Sequence, residues 1–166
     1  RVMLWTRVTP PVGHTGDIPV EWEVATDSAF TTLVAQGQTT ALASKDFTVK
    51  VDATGLKAAT AYHYRFRAYA ATSPTGRTRT LPTGSVAQVK LAVFSCANYP
   101  AGYFNLYAHA AKRGDLDATV HLGDYIYEYG QGGYASANAG ALGRLSTPAK
   151  EILSLADYRQ RHAQYK

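Results

Sequence analysis

The sequence predicts a β-sandwich followed by an α/β unit, and three observations carry that prediction. Short stretches in the first half alternate apolar and polar residues with the period of strands that have one dry face. Leu81-Pro82-Thr83-Gly84-Ser85 then interrupts the pattern with the composition of a linker. Beyond it, two short continuous apolar runs flank a helical repeat, as in a βαβ unit.

In the first half, Val20-Glu21-Trp22-Glu23-Val24 alternates apolar and charged residues. Phe47, Val49 and Val51 alternate with Thr48 and Lys50. Tyr62, Tyr64 and Phe66 alternate with His63, Arg65 and Arg67. Turn signals separate these runs at Pro10-Pro11, Thr26-Asp27-Ser28, Asp52-Ala53-Thr54-Gly55 and Ser73-Pro74-Thr75-Gly76. Short strands at this spacing build sandwiches. The stretch from Gly55-Leu56 to Phe66 resembles the late strands of fibronectin type III modules, in which a tyrosine bonds back to the chain upstream.

In the second half, Leu91-Ala92-Val93-Phe94 and Ala118-Thr119-Val120-His121-Leu122 read as parallel strands buried on both faces. Between them, Phe104, Tyr107, Ala108 and Ala111 fall at helical spacing, which predicts a helix over 103–112 ended by Gly114. Residues 129–144 hold five glycines with many Ala and Ser and read as a flexible loop. Thr147, Pro148 and Glu151 have the order of cap, first position and first turn of a second helix. Its apolar face would be Ile152, Leu155, Tyr158 (or Ala156) and His162, and its solvated face Arg159 and Arg161. The start at Arg1 reads as the middle of a strand and the end at Lys166 as the inside of a helix, so both are expected to be cuts through a longer protein. The expected domains are 1–84 and 85–166.

The net charge of +5 is spread over both halves: nine Lys/Arg against six Asp/Glu through Gly84, eight against six after it. There is no basic stripe of the kind that binds nucleic acid. No apolar run reaches the roughly 20 residues that cross a bilayer. A single cysteine, Cys96, excludes an internal disulfide.

Ligands of parallel sheets bind beyond the carboxyl ends of the strands. There the first strand delivers Ser95-Cys96-Ala97-Asn98 and the second Gly123-Asp124-Tyr125-Ile126-Tyr127. If the strands are neighbours, a thiolate and a carboxylate meet at one edge, which is a natural metal site. Asp124 has two oxygens to bridge two ions about 3.5 Å apart, and Tyr127, three residues on, offers a phenolate suited to Fe(III). The competing account of the same residues is a Gly-Asp turn followed by packing tyrosines. Asn98 is a candidate for a metal or substrate contact and also a common turn residue. His121 and His109 read as structural, and Arg144 as solvent-exposed in the loop.

Ser-Cys-Ala-Asn-Tyr (95–99), Gly-Tyr-Phe-Asn (102–105), His-Leu-Gly-Asp-Tyr-Ile-Tyr-Glu-Tyr-Gly (121–130) and the tail 155–166 resemble the PhoD alkaline phosphatase/phosphodiesterase family. So does the β-rich first half, with its Trp-Thr-Arg (5–7) start. The resemblance implies a fibronectin type III-like β-sandwich followed by the first part of an α/β metallophosphoesterase domain. It implies a secreted, periplasmic or cell-wall-associated enzyme exported by the twin-arginine route, holding Fe(III) and Ca²⁺ and hydrolysing phosphomonoesters and phosphodiesters. By position, Cys96 and Tyr127 would be iron ligands, and Asp124 both the iron–calcium bridge and the catalytic centre. The family's later metal-binding motifs are not in these residues, so this stretch alone is expected to bind metal weakly and be nearly inactive. The alternative is a fibronectin-like binding module joined to an α/β scaffold without catalysis; it explains residues 1–84 equally well.

Overall fold

A computed structural model describes residues 1–166, which divide into two compact units, Arg1–Ala87 and Gln88–Lys166. The first is built from strands alone, apart from one 3₁₀ turn. β1 (Val2–Arg7) and β4 (Thr48–Ala53) form one antiparallel pair. β2 (Ile18–Ala25) lies between β3 (Leu33–Ala41) and β5 (Ala61–Ala68), and β5 also pairs with the short β6 (Ala71–Thr72) and β7 (Gly76–Arg79). Leu4, Val49, Val51 and Ala53 from the pair meet Ile18, Val20, Val24, Ala41, Tyr62 and Phe66 from the larger sheet in one buried core. The alternation is what makes this possible, because every second residue of a strand faces the same side. The opposite face of β2 and β5 is polar: Glu23 stands across from Arg65 in register and bonds it at 2.6 Å.

Turn chemistry sets the ends of these strands. Asp27 accepts main-chain N–H groups of Ala29, Thr31 and Thr32, the local side-chain bonding that favours turns over strands. The Tyr62 hydroxyl accepts the Lys57 N–H at 3.0 Å, five residues upstream.

In the second unit β8 (Leu91–Phe94) and β9 (Ala118–His121) are parallel, paired from Leu91↔Ala118 to Phe94↔His121. They are not buried on both faces as the apolar runs suggest: Leu91 and Val93 are half exposed, since a two-stranded sheet has no further strand or layer over that side. The intervening helix α1 covers only Asn105–Ala111, shorter than expected, because a 3₁₀ turn at Tyr99–Ala101 and Gly102 occupy the approach to it.

The last helix also starts later than the cap signal at Thr147 suggests. α2 runs over Leu155–Gln164; Ser154 caps it by accepting the Asp157 N–H, and the Asp157 carboxylate accepts the Ser154 N–H in return. That reciprocal pair satisfies two free donors at once. Residues 147–153 instead run as irregular chain, with Ile152 buried and its N–H on the Glu128 carbonyl. Leu155 and Tyr158, expected on the buried face, are exposed, and Arg161, expected in solvent, is 2% exposed. The glycine-rich segment 129–144 is folded on itself. Turn bonds join Gly133 to Gly130, Ala139 to Ser136 and Arg144 to Ala139, and the small Ala139 is buried.

Candidate functional site

Beyond the carboxyl ends of β8 and β9 the parallel ladder continues as single hydrogen bonds. Leu122 N–H meets the Phe94 carbonyl, Cys96 N–H the Gly123 carbonyl, and Ala97 N–H the Asp124 carbonyl at 2.9 Å. This zipper holds Cys96 opposite Asp124. Gly123 takes φ +130, a conformation that L side chains rarely adopt. Cys96 and Asp124 themselves both lie in the left-handed region, at φ 59 and 52. For non-glycine residues such backbone costs on the order of 1–2 kcal/mol each. Two such residues facing each other at a strand edge mark a place where geometry is kept at the expense of stability.

The strained backbone brings three side chains together. The Cys96 thiol faces Asp124 Oδ2 at 3.6 Å, and the Tyr127 hydroxyl faces the same oxygen at 3.4 Å. The first is an ordinary reach for a thiol donor, and the second is long for a hydrogen bond between oxygens. They are the spacing that donors adopt around a shared ion, given metal–ligand distances of about 2.0–2.3 Å. Cys96 and Asp124 are exposed and Tyr127 is half-buried. The Tyr127 hydroxyl is held well above the ordinary tyrosine range, first by the neighbouring Cys96 side chain, then by burial and the Asp124 charge. A phenol whose neighbours are a thiol and a carboxylate keeps its proton unless a cation offsets the added charge. The donor set of sulfur, carboxylate and phenol therefore fits a highly charged metal ion. No group of three or more His, Cys, Asp or Glu gathers in the chain, so the phenol is what makes this a set of three donors.

The remaining candidates separate into groups. Asn98 gives its N–H to the Cys96 carbonyl, and its side-chain nitrogen is shielded from solvent without a hydrogen-bond partner. It lines, with Cys96, Tyr103 and Phe104, an open cleft of about 470 Å³. His121 is half-buried, with Nε2 3.0 Å from the Tyr107 hydroxyl. His109 is exposed on α1.

Arg144 does not lie free in a loop as its surroundings in the sequence suggest. Its guanidinium stacks 3.7 Å over Tyr99 and 4.7 Å over Phe104, and its Nε–H bonds the Tyr99 carbonyl. Tyr127 itself belongs to a cluster with Tyr129 and Tyr134, ring centres 5.7–6.3 Å apart. Neither the Arg144 stack nor that cluster has a periodic signature, because loops bring these residues together.

Two family models account for nearly the whole chain. The model of the PhoD-like phosphatase N-terminal domain matches residues 1–82, and that of the PhoD-like phosphatase matches 91–166. The chain belongs to the PhoD-like phosphatase family. Among its relatives is alkaline phosphatase D of Bacillus subtilis (strain 168), 42% identical over 172 residues that take in 99% of this chain and 29% of the relative. The solved structure of PhoD superposes with a TM-score of 0.89 at 42% identity, covering 98% of this chain and 32% of that one. The chain thus spans about a third of the length of these relatives. No helix is long and apolar enough to cross a membrane.

Proposed function

We propose that the protein is a metal-dependent phosphoester hydrolase, with residues 1–84 forming a fibronectin type III-like sandwich and residues from 85 onward opening a metallophosphoesterase domain. The observation that carries the reading is the convergence of Cys96, Asp124 and Tyr127 on one carboxylate oxygen, on strained backbone, in a member of a phosphatase family. Cys96 and Tyr127 would hold Fe(III), and Asp124 would be shared between it and Ca²⁺. When bound, such ions polarise a phosphoryl oxygen and acidify the water that attacks in line.

The chain's own contribution is placement. The ladder bonds at Cys96 and Ala97 set the sulfur against the carboxylate, and the Asn98 side chain beside them offers a polar contact to the substrate or the metal. The cleft next to Cys96 and Asn98 has room for an ester group. Cys96 acts as a ligand and not as a nucleophile. Three donors are too few for the six to eight oxygens that Ca²⁺ takes. The isolated stretch 1–166 is accordingly expected to bind metal weakly and to turn over little. Export by the twin-arginine route to the periplasm, cell wall or medium follows from the family resemblance, as does action on monoesters and diesters alike.

The test is Asp124→Asn in the full-length protein, assayed on p-nitrophenyl phosphate and bis(p-nitrophenyl) phosphate with iron content measured in parallel. Both activities are expected to fall by more than about a hundredfold together with loss of iron. Wild-type turnover at wild-type iron content would end the proposal.

A further inference from the structure

We infer that Arg161 is a positioning residue for Tyr127: by binding the main-chain carbonyls on either side of residue 128, it holds the phenol against Asp124. This rests on the metal-site reading above and goes beyond it, since Arg161 touches none of the three candidate ligands' side-chain oxygens or sulfur.

Arg161 lies in the last turns of α2 and is 2% exposed. A buried cation is costly unless fixed dipoles or charges replace its water. Here four hydrogen bonds to main-chain carbonyls do so. Nη1 donates to Tyr127 at 2.5 Å and to Tyr129 at 3.1 Å, Nε to Thr147 at 3.0 Å and Nη2 to Pro148 at 3.1 Å. The carbonyl between the first two, that of Glu128, accepts the Ile152 N–H at 2.9 Å. Three consecutive carbonyls of the site segment are therefore tied down. Just beyond them Gly130 lies so close to the 149–151 backbone that a Cβ would stand 2.7 Å from the Ala149 oxygen.

The segment 124–127 is anchored at two points. At the front, Ala97 N–H holds the Asp124 carbonyl; at the back, Arg161 holds the Tyr127 carbonyl. With both ends held, the Tyr127 hydroxyl stays 3.4 Å from Asp124 Oδ2. With the back anchor gone, the Ile152 N–H on the Glu128 carbonyl and side-chain packing on Tyr129 and Tyr134 remain, and none of these holds the Tyr127 carbonyl itself. The role needs arginine in particular. Its planar fork presents five donors at fixed angles and serves two chain segments at once, whereas the lysine ammonium is a point charge on a flexible stem.

The experiment compares Arg161→Lys and Arg161→Met with wild type in the full-length protein labelled with 3-fluorotyrosine, the Tyr127 resonance being assigned by Tyr127→Phe. In metal-free protein, Arg161→Lys is expected to move the Tyr127 fluorine signal toward its denatured position, and Arg161→Met to move it further. The Tyr62 and Tyr64 signals should stay in place in both. Fe(III) affinity is expected to drop tenfold to a hundredfold in Arg161→Lys, on the order seen for partners that orient metal ligands. An unmoved Tyr127 signal with Fe(III) affinity within about twofold of wild type overturns the inference. So does collapse of every second-unit tyrosine signal in both variants, which would make Arg161 a folding residue only. Wild-type protein that takes up no Fe(III) sinks the phosphoesterase reading instead, and the metal-free spectra still decide the role of Arg161.

Discussion

The two units keep their order by different means. The first closes a core of ten buried residues, eight of them aliphatic, supplied by two sets of strands. The second buries Ala97, Pro100, Ala139 and Ile152 among its apolar side chains, and beside them it buries Ser146, Asp157 and Arg161. Its remaining packing is a chain of half-buried rings. Phe94 meets Tyr107, Tyr107 meets Phe104, and Tyr165 touches Tyr99, Phe104 and Tyr125. Rings with hydroxyl ends suit a surface that is apolar on one side and wet on the other. The contrast teaches where stability and chemistry are kept. A unit that fills itself with Val and Leu has few polar groups left to converge on a ligand. One held by carbonyl clamps and stacked cations keeps its strand ends available for a site.

The sharpest way to break this contrast is to delete matched leucines. Leu4 is buried and its truncation leaves a cavity, so Leu4→Ala is expected to cost about 3 kcal/mol. Leu155 is 66% exposed, and Leu155→Ala is expected to stay within about 0.5 kcal/mol. The probes separate cleanly: both tryptophans, Trp5 and Trp22, lie in the first unit, while nine of the twelve tyrosines lie in the second. Denaturant unfolding followed by tryptophan fluorescence for Leu4→Ala, and by near-ultraviolet tyrosine dichroism for Leu155→Ala, measures each effect where it arises. Comparable losses in the two variants would mean that the second unit also depends on aliphatic packing.

A middle-sized effect tests the other half of the contrast. Arg144 gives up a hydrogen bond to the Tyr99 carbonyl and its stacking on Tyr99 and Phe104 when truncated. Arg144→Ala is expected to destabilise the second unit by about 2 kcal/mol, read by tyrosine dichroism. Arg144→Lys should recover less than half, because an ammonium cannot lie flat between rings. A neutral Arg144→Ala would show that the aromatic chain stands without its cation.

What was legible in the sequence follows the same division. Val20–Val24, Phe47–Val51 and Tyr62–Phe66 announce strands because burial on one face forces a period of two, and all three lie in or at the edge of strands of the first unit. Cys96, Asp124 and Tyr127 were legible as a group because strand ends are where parallel sheets present side chains, and spacing of three residues returns Tyr127 to Asp124. Helix α2 caps seven residues later than the first signal suggests, because Thr147-Pro148 and Ser154 with Asp157 are both valid cap signals. Tertiary contact chose between them: Ile152 N–H bonds Glu128 in place of a helical turn. The expectation that Arg161 is solvated fails for a similar reason. Nothing in a helical pattern distinguishes an arginine facing water from one facing four carbonyls contributed by loops up to 34 residues away. Side-chain clamps across irregular chain have no period, so they escape any reading based on one.

The smallest expected effect concerns Asp157 and separates the cap of α2 from the rest of the second unit. Its carboxylate accepts the Ser154 and Leu153 N–H groups and pairs with Lys150 at 3.1 Å. These contacts, the Ser154 N–H foremost, hold its pKa well below the usual carboxylate range. The unfolded chain would protonate this group near pH 4, while the folded chain protonates it only at lower pH. The stabilisation is therefore complete above about pH 4 and is lost as pH falls from there toward the folded value. Amide exchange of residues 153–158, corrected for intrinsic rates, is expected to quicken between pH 5 and pH 3, relative to that of β8 and β9, where the Asp117 carboxylate holds only the Lys90 N–H just before β8. In Asp157→Asn the same amides should exchange faster already at pH 6 and show no such further change. If wild-type protection at 153–158 instead runs parallel to that of β8 and β9 through this range, the cap is not a separate source of order, and the second unit yields to acid as one body.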